Sequence, residues 1–207
     1  MECHNTNPHA IVTGSDGFAT DRAIGCERCH GPGGNHVQVV LSKDFVKKSD
    51  ADLAIARPSL ASGAAIVGLC ADCHSARKKG LRLEPGSPQA VRFQGTTLTW
   101  SRCYTESDGK LDCLTCHNPH KNAEADPHGY ELKCLHCHSP AAGTTVLSQS
   151  LKVKTEPGRQ SSCPVQPERG CVDCHMPKRE ALMAHTRFTD HFIRIPPEPE
   201  LQSKRQP

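Results

Sequence analysis

The sequence predicts a mainly α fold with extensive loops and little or no β structure. Three observations carry that prediction. Leu, Ile, Val and Phe supply only 37 of 207 residues, about 18%, which is less than an ordinary chain uses to pack a core. Gly- and Pro-containing segments separate short helical stretches along the chain. The pentad Cys-x-x-Cys-His occurs five times, at Cys26–His30, Cys70–His74, Cys113–His117, Cys134–His138 and Cys171–His175, and half of a sixth stands at Cys3–His4.

That pentad is the attachment signature of a c-type haem. Each of its two thiols can form a thioether to a vinyl group on one porphyrin edge. Residues three apart on a helical turn face the same way, with side chains roughly 5–6 Å apart, so one turn serves both positions. The next residue points about 100° further round and brings its imidazole under the iron as proximal ligand. Zinc sites and redox dithiols also use Cys-x-x-Cys, but neither requires His directly after every pair. His is 13 of 207 residues. Five trailing His by accident has odds on the order of one in a million. The expected thioether donors are therefore Cys26, Cys29, Cys70, Cys73, Cys113, Cys116, Cys134, Cys137, Cys171 and Cys174, with His30, His74, His117, His138 and His175 as proximal ligands. Cys3 and His4 would supply a sixth site. A chain this poor in apolar residues would otherwise be marginal or disordered. Large flat apolar haems change that, and the fold is expected to depend on them, with no stable apo form.

Taken in order, residues 1–25 hold the half motif, His9 and a loop at Gly14–Gly17. After Cys26–His30, Gly-Pro-Gly-Gly reverses the chain and places His36, which can reach a neighbouring iron. Residues 42–75 read as two helical pieces. Ser42 or Asp44 caps the first, which stops before Pro58. The second starts near Ser59–Ser62 and runs into Cys70–His74. Its Gly63 and Gly68 would let a porphyrin lie close to the backbone. Residues 76–112 form a basic loop and then Leu98–Tyr104, where Trp100 is expected to pack on a haem and Arg102 and Tyr104 to meet propionates. In residues 113–139 the two pentads stand a short loop apart. Pro119 prevents the helix from continuing and frees His120 for a different iron. His128 is a further candidate; His136, between the two Cys of its own pentad, should point away from that haem. Residues 140–170 read as a long surface connection. After Cys171–His175 comes Met176-Pro177, then a helix carrying Met183 and His185, then Phe188, His191, Ile193 and Ile195. Residues 1–195 are assigned to one domain, and Pro196–Pro207 to a disordered Pro-rich tail.

Thirteen Cys leave Cys3, Cys103 and Cys163 outside complete pentads. Haem c is attached outside the cytoplasm, so Cys103 and Cys163 are either a disulfide or two buried thiols. The expected location is periplasmic or extracellular. No run approaches the about 20 apolar residues of a membrane span. No secretory leader is present either, and Met1-Glu2-Cys3-His4 reads like a pentad cut at its first Cys. The formal net charge of +3 comes with scattered Lys and Arg and only short clusters such as Arg77-Lys78-Lys79. That pattern carries no nucleic-acid signature.

Cys113–His138, with Cys-x-x-Cys-His-x-Pro-His and then a second pentad, resembles the doubled module of multihaem c-type cytochromes. Cys-Glu-Arg-Cys-His-Gly-Pro-Gly at 26–33, Cys-Val-Asp-Cys-His-Met-Pro-Lys at 171–178 and Phe-Thr-Asp-His at 188–191 are similar to the group that includes the tetrahaem electron-transfer cytochrome of ammonia oxidisers. The likeness runs to about Ile195. It implies a helical, loop-rich multihaem cytochrome c fold around stacked haems, mostly bis-His irons, and distal ligands at His36, His120 and one of His185 and His191. The Cys-x-x-Cys-Lys site of related pentahaem nitrite reductases is absent from the chain.

The expected function is electron transfer along closely spaced haems, with other redox proteins as partners. Seven His lie outside proximal positions: His9, His36, His120, His128, His136, His185 and His191. That supply roughly matches the demand of six sites for distal ligands. Two alternatives stay open. One is a reductase of a small nitrogen or sulfur compound, with one open haem site. The other is a homo-oligomer or filament in which His of one protomer ligates iron in the next.

Overall fold

The computed structural model describes residues 24–42, 53–58, 60–76, 80–138, 163, 169–182 and 186–197. The described residues are mostly helices and loops, with one two-stranded sheet. The helical expectation holds at this level. The half motif at Cys3–His4, His9, Asp44, most of the 140–170 connection, Met183, His185 and residues 198–207 lie outside the described residues. The chain divides into two units, Met1–Ala61 and Ser62–Pro207.

In the first unit, α1 (Glu27–His30) and α2 (Gly34–Leu41) are joined by the Gly-Pro-Gly turn. Gly31 takes φ 69°, a left-handed value that glycine adopts without the Cβ penalty. Glu27 Oε1 accepts from the Gly33 N–H at 2.6 Å and ties the turn to α1. Ser42 was expected to cap the start of a helix. Instead it closes the end of α2, donating its hydroxyl to the Val39 carbonyl at 2.7 Å. Much of the helix expected before Pro58 lies outside the described residues; within 54–58 the chain is not helical.

The second unit is built on α3 (Gly63–His74). Ser62 begins it as expected, its hydroxyl accepting from the Ala65 N–H at 3.2 Å. Ile66 and Val67 are buried, as are Ala90, Val91, Phe93 and Leu98 in the segment that leads into and past α4 (Gln94–Thr97), which packs on α3. That segment is a run of short turns: α4, a 3-10 turn (Leu98–Trp100) and α5 (Arg102–Thr105). Two glycines permit close approach. A Cβ on Gly95 would lie 3.1 Å from the His74 carbonyl, and a Cβ on Gly63 would run into the Gly109 carbonyl. Gly63 thus makes room for backbone, not for a porphyrin as expected. Thr96 Oγ1 staples the end of α3, accepting from the Ala76 N–H and donating to Ser75 Oγ, both at 3.1 Å.

Three more helices follow: α6 (Cys113–Cys116), α7 (His128–His138) and α8 (Cys171–His175). α6 starts with a reciprocal cap, Asp112 Oδ1 accepting from the Thr115 N–H at 3.0 Å and Thr115 Oγ1 from the Asp112 N–H at 3.1 Å. It ends at His117, two residues before Pro119. The helix expected after Met176-Pro177 is not formed by the described residues. β1 (Lys178–Glu180) and β2 (Arg187–Thr189) pair antiparallel there, with Arg179 opposite Phe188. The reason lies beyond the hairpin. Asp190 donates its N–H to the Pro177 carbonyl at 3.1 Å and buries its carboxylate against Arg179 and Arg194, at 3.4 and 2.8 Å. Doubling the chain back gives that buried charge its partners.

Candidate functional site

Each complete pentad lies on or at the end of a helical turn, so its two Cys stand one turn apart as porphyrin anchors require. In the second unit the four pentads are neighbours in chain order: α3 packs on α6, α6 on α7, and α7 on α8. The contacts reach the sulfurs. The Cys113 thiol hydrogen-bonds Cys70, which draws Cys70 down to about 7 and, with burial, pushes Cys113 up. Burial first, then the neighbouring Cys171, takes Cys134 up to about 12. Burial likewise raises Cys103, Cys116 and Cys171. Cys103 carries a free thiol, so the disulfide considered for Cys103 and Cys163 is not formed. Among the described residues, no three His, Cys, Asp or Glu side chains gather into a cage for a bare metal ion.

Five imidazoles share one arrangement. His30 Nδ1 lies 2.9 Å from the Ala56 carbonyl, His36 Nδ1 2.7 Å from the Leu53 carbonyl, and His74 Nδ1 3.0 Å from the amide oxygen of Gln94. His175 Nδ1 lies 2.8 Å from the Arg194 carbonyl and His191 Nδ1 2.9 Å from the Thr189 carbonyl. A carbonyl oxygen only accepts, so in each bond Nδ1 is the donor. In a neutral ring that leaves the lone pair on Nε2, the nitrogen a haem iron takes, and fixes the ring's rotation. These histidines therefore fit haem: the residue types, the tautomer and the supporting acceptors agree. Three are proximal candidates and two are distal candidates.

His117 belongs with His191. Their ring centroids are 6.1 Å apart with planes at 29°, and Tyr130 lies 5.4 Å from His117 on a tilted plane. Burial first, and then neighbouring imidazoles, hold both His117 and His191 toward the neutral form that can bind a metal. His74 is close enough to contribute to both shifts.

The other described histidine candidates are exposed. His120 is exposed on the turn after Pro119, its backbone N–H held by Asn118 Oδ1 at 2.9 Å. His128 is exposed at the start of α7, with Nδ1 3.6 Å from Glu131. His136, Cys137 and His138 are exposed on the last turn of α7, and Cys26 and Cys29 are exposed on α1. Trp100 meets Phe192 edge-on at 6.0 Å. Arg102, expected at a propionate, pairs with Glu106 at 2.7 Å.

Sequence reasoning missed the supporting shell. Gln94, the carbonyls of Leu53, Ala56, Thr189 and Arg194, and Ser101 have no signature, because any residue offers a carbonyl. Ala54, between the two carbonyls of the first unit, takes φ 51°, a conformation that costs a non-glycine residue about 1–2 kcal/mol. No family model matches the chain, and no curated protein or solved structure matches it. Among the described residues, no helix is long and apolar enough to cross a membrane.

Proposed function

We propose that this chain is a multihaem c-type cytochrome that transfers electrons among closely spaced, covalently attached haems, outside the cytoplasm, with other redox proteins as partners. The observation that carries the proposal is the shared Nδ1-to-oxygen bond at His30, His36, His74, His175 and His191, between 2.7 and 3.0 Å. Ordinary surface histidines have no reason to present the same nitrogen to a carbonyl-type oxygen five times. Iron ligands do.

Haem c would supply a one-electron iron couple at each site. The chain's own residues hold and orient it. Cys26 and Cys29, and the equivalent pairs on α3, α6, α7 and α8, are the thioether donors. His30, His74, His117, His138 and His175 are the proximal ligands, and His36 and His191 lead the distal candidates. Partial burial of His117 and His191 favours the neutral rings that can bind a metal. The contact of α3, α6, α7 and α8 in sequence order supports a row of sites close enough for tunnelling. Few Met are placed to replace His, which favours bis-His ligation and low potentials.

The test is a count of covalent haem per full-length chain exported with haem loading, together with the spin state of each iron. The expected result is five haems, or six where Cys3 and His4 also serve, all low-spin in the ferric state. A colourless chain, or one whose thiols take zinc in preference, overturns the proposal. A persistent high-spin ferric centre moves the reading to the reductase alternative.

A further inference from the structure

Resting on the haem reading above, we propose that His191 is the distal ligand of the iron whose proximal ligand is His117. Metal–imidazole bonds of about 2 Å on each side, plus about 1 Å from each nitrogen to its ring centre, put the two centroids roughly 6 Å apart. The observed separation of His117 and His191 is 6.1 Å. The two rings come from segments more than 70 residues apart, so nothing local sets this distance.

What sets it is the strap from Thr189 to Arg194. Ser101, completely buried, grips the strap on both sides of Phe192: its hydroxyl donates to the His191 carbonyl at 3.1 Å and accepts from the Ile193 N–H at 2.8 Å. Asp190, 2% exposed, accepts from the Phe192 N–H at 3.0 Å and pairs with Arg194 at 2.8 Å. Phe192 meets Trp100 edge-on, and the Arg194 guanidinium lies over the Phe192 ring, 4.7 Å from its centroid. Thr189 then fixes the imidazole itself through Nδ1. Every covalent neighbour of His191 is held, and its Nε2 is left as the metal-binding nitrogen. The rival iron is the one at His74. His74 is exposed and its ring is tied to Gln94, whereas the ring facing His191 is that of His117.

The experiment uses the full-length haem-loaded protein and its ferric electron paramagnetic resonance spectrum. In His191→Ala the haem count stays the same and one haem turns from low-spin to high-spin. In a Cys113→Ala, Cys116→Ala background, which removes attachment of the haem at His117, His191→Ala adds no high-spin signal. In a Cys70→Ala, Cys73→Ala background it still does. The pairing is overturned if His191→Ala leaves every iron low-spin, or if the new signal survives loss of the Cys113 and Cys116 anchors and vanishes with the Cys70 and Cys73 anchors. Should a haem-deleted background fail to fold, His191→Met answers the same question in the intact protein. In the reduced state its ligating methyl group should show nuclear Overhauser contacts to the haem carrying the Cys113 and Cys116 thioethers; contacts to the haem of Cys70 and Cys73 refute the pairing. Absence of haem altogether sinks the underlying haem reading. A full haem complement with unaltered spin states sinks the pairing alone.

Discussion

In the unit that ends at Ala61, His30 and His36 are tied to the carbonyls of Ala56 and Leu53, and no described residue of α1 or α2 is buried. In the unit that begins at Ser62, His74, His175 and His191 are tied in the same way, but the unit also buries Ile66, Val67, Val91, Phe93 and Leu98. The difference separates two jobs. A hydrogen bond to a carbonyl orients an imidazole, but its net contribution to stability is only about 0.5–1.5 kcal/mol. Burying a large apolar side chain contributes about 1.5–3 kcal/mol. The second unit has both contributions. Among its described residues the first has hydrogen bonds but no buried apolar side chain, with Val37, Val40 and Leu41 exposed on α2. Its order should therefore depend on the cofactor far more than that of its neighbour.

The largest expected effect tests that dependence. Cys26→Ala with Cys29→Ala removes the thioethers of the first unit. Amide hydrogen exchange over residues 27–41 should accelerate toward free-peptide rates, while residues 63–74 and 90–98 keep their protection. Equal loss in both units would erase the contrast. The next effect runs the other way. Phe93 is 3% exposed, and Phe93→Ala should cost about 3–5 kcal/mol in denaturant unfolding of the haem-loaded chain. Val37 is half exposed at 50%, and Val37→Ala should stay within about 0.5 kcal/mol. Similar costs for the two would show that the first unit has a core after all.

A smaller effect falls on the clamp. Ser101→Ala strips a buried hydroxyl from the Ile193 N–H and the His191 carbonyl, leaving a polar group without its partner. The expected cost is about 1–3 kcal/mol. A purely structural role would end there. A positioning role also perturbs the low-spin signal of the His191 iron, and Ser101→Thr, which keeps the hydroxyl, should restore it.

The parts of this arrangement that sequence could disclose are those that local chemistry decides. A pair of Cys three apart needs one helical turn, and each pentad has it. Ser62 announced the start of α3, and Pro119 the end of α6. The hairpin at 178–189 was not legible, because three-residue strands carry too short an alternation to register. Their pairing is fixed instead by Asp190, whose burial between Arg179 and Arg194 is a tertiary fact. The acceptors of the five imidazoles were invisible for the same reason. Gln94 reads as one polar residue among many until the end of α3 arrives beside it. His191 could be suspected from Phe-Thr-Asp-His, but its partner His117 could not, since only folding brings them together.

Arg102 offers the smallest effect and the finest distinction between a polar tie and a cofactor contact. Sequence suggested a propionate partner; the structure gives its guanidinium to Glu106, through Nε at 2.9 Å and Nη2 at 2.7 Å, with the Arg102 side chain 87% exposed. An exposed i,i+4 pair of this kind contributes about 0.3–0.5 kcal/mol. Arg102→Ala should therefore shift unfolding by no more than that, and the shift should shrink in high salt as counterions screen the pair. A guanidinium on a propionate acts differently: removing it takes positive charge from beside the iron and lowers that haem's potential. Spectroelectrochemical titration of Arg102→Ala against the parent protein separates the two. Unchanged potentials leave Arg102 as a surface partner of Glu106, whereas a fall confined to one haem returns it to the cofactor.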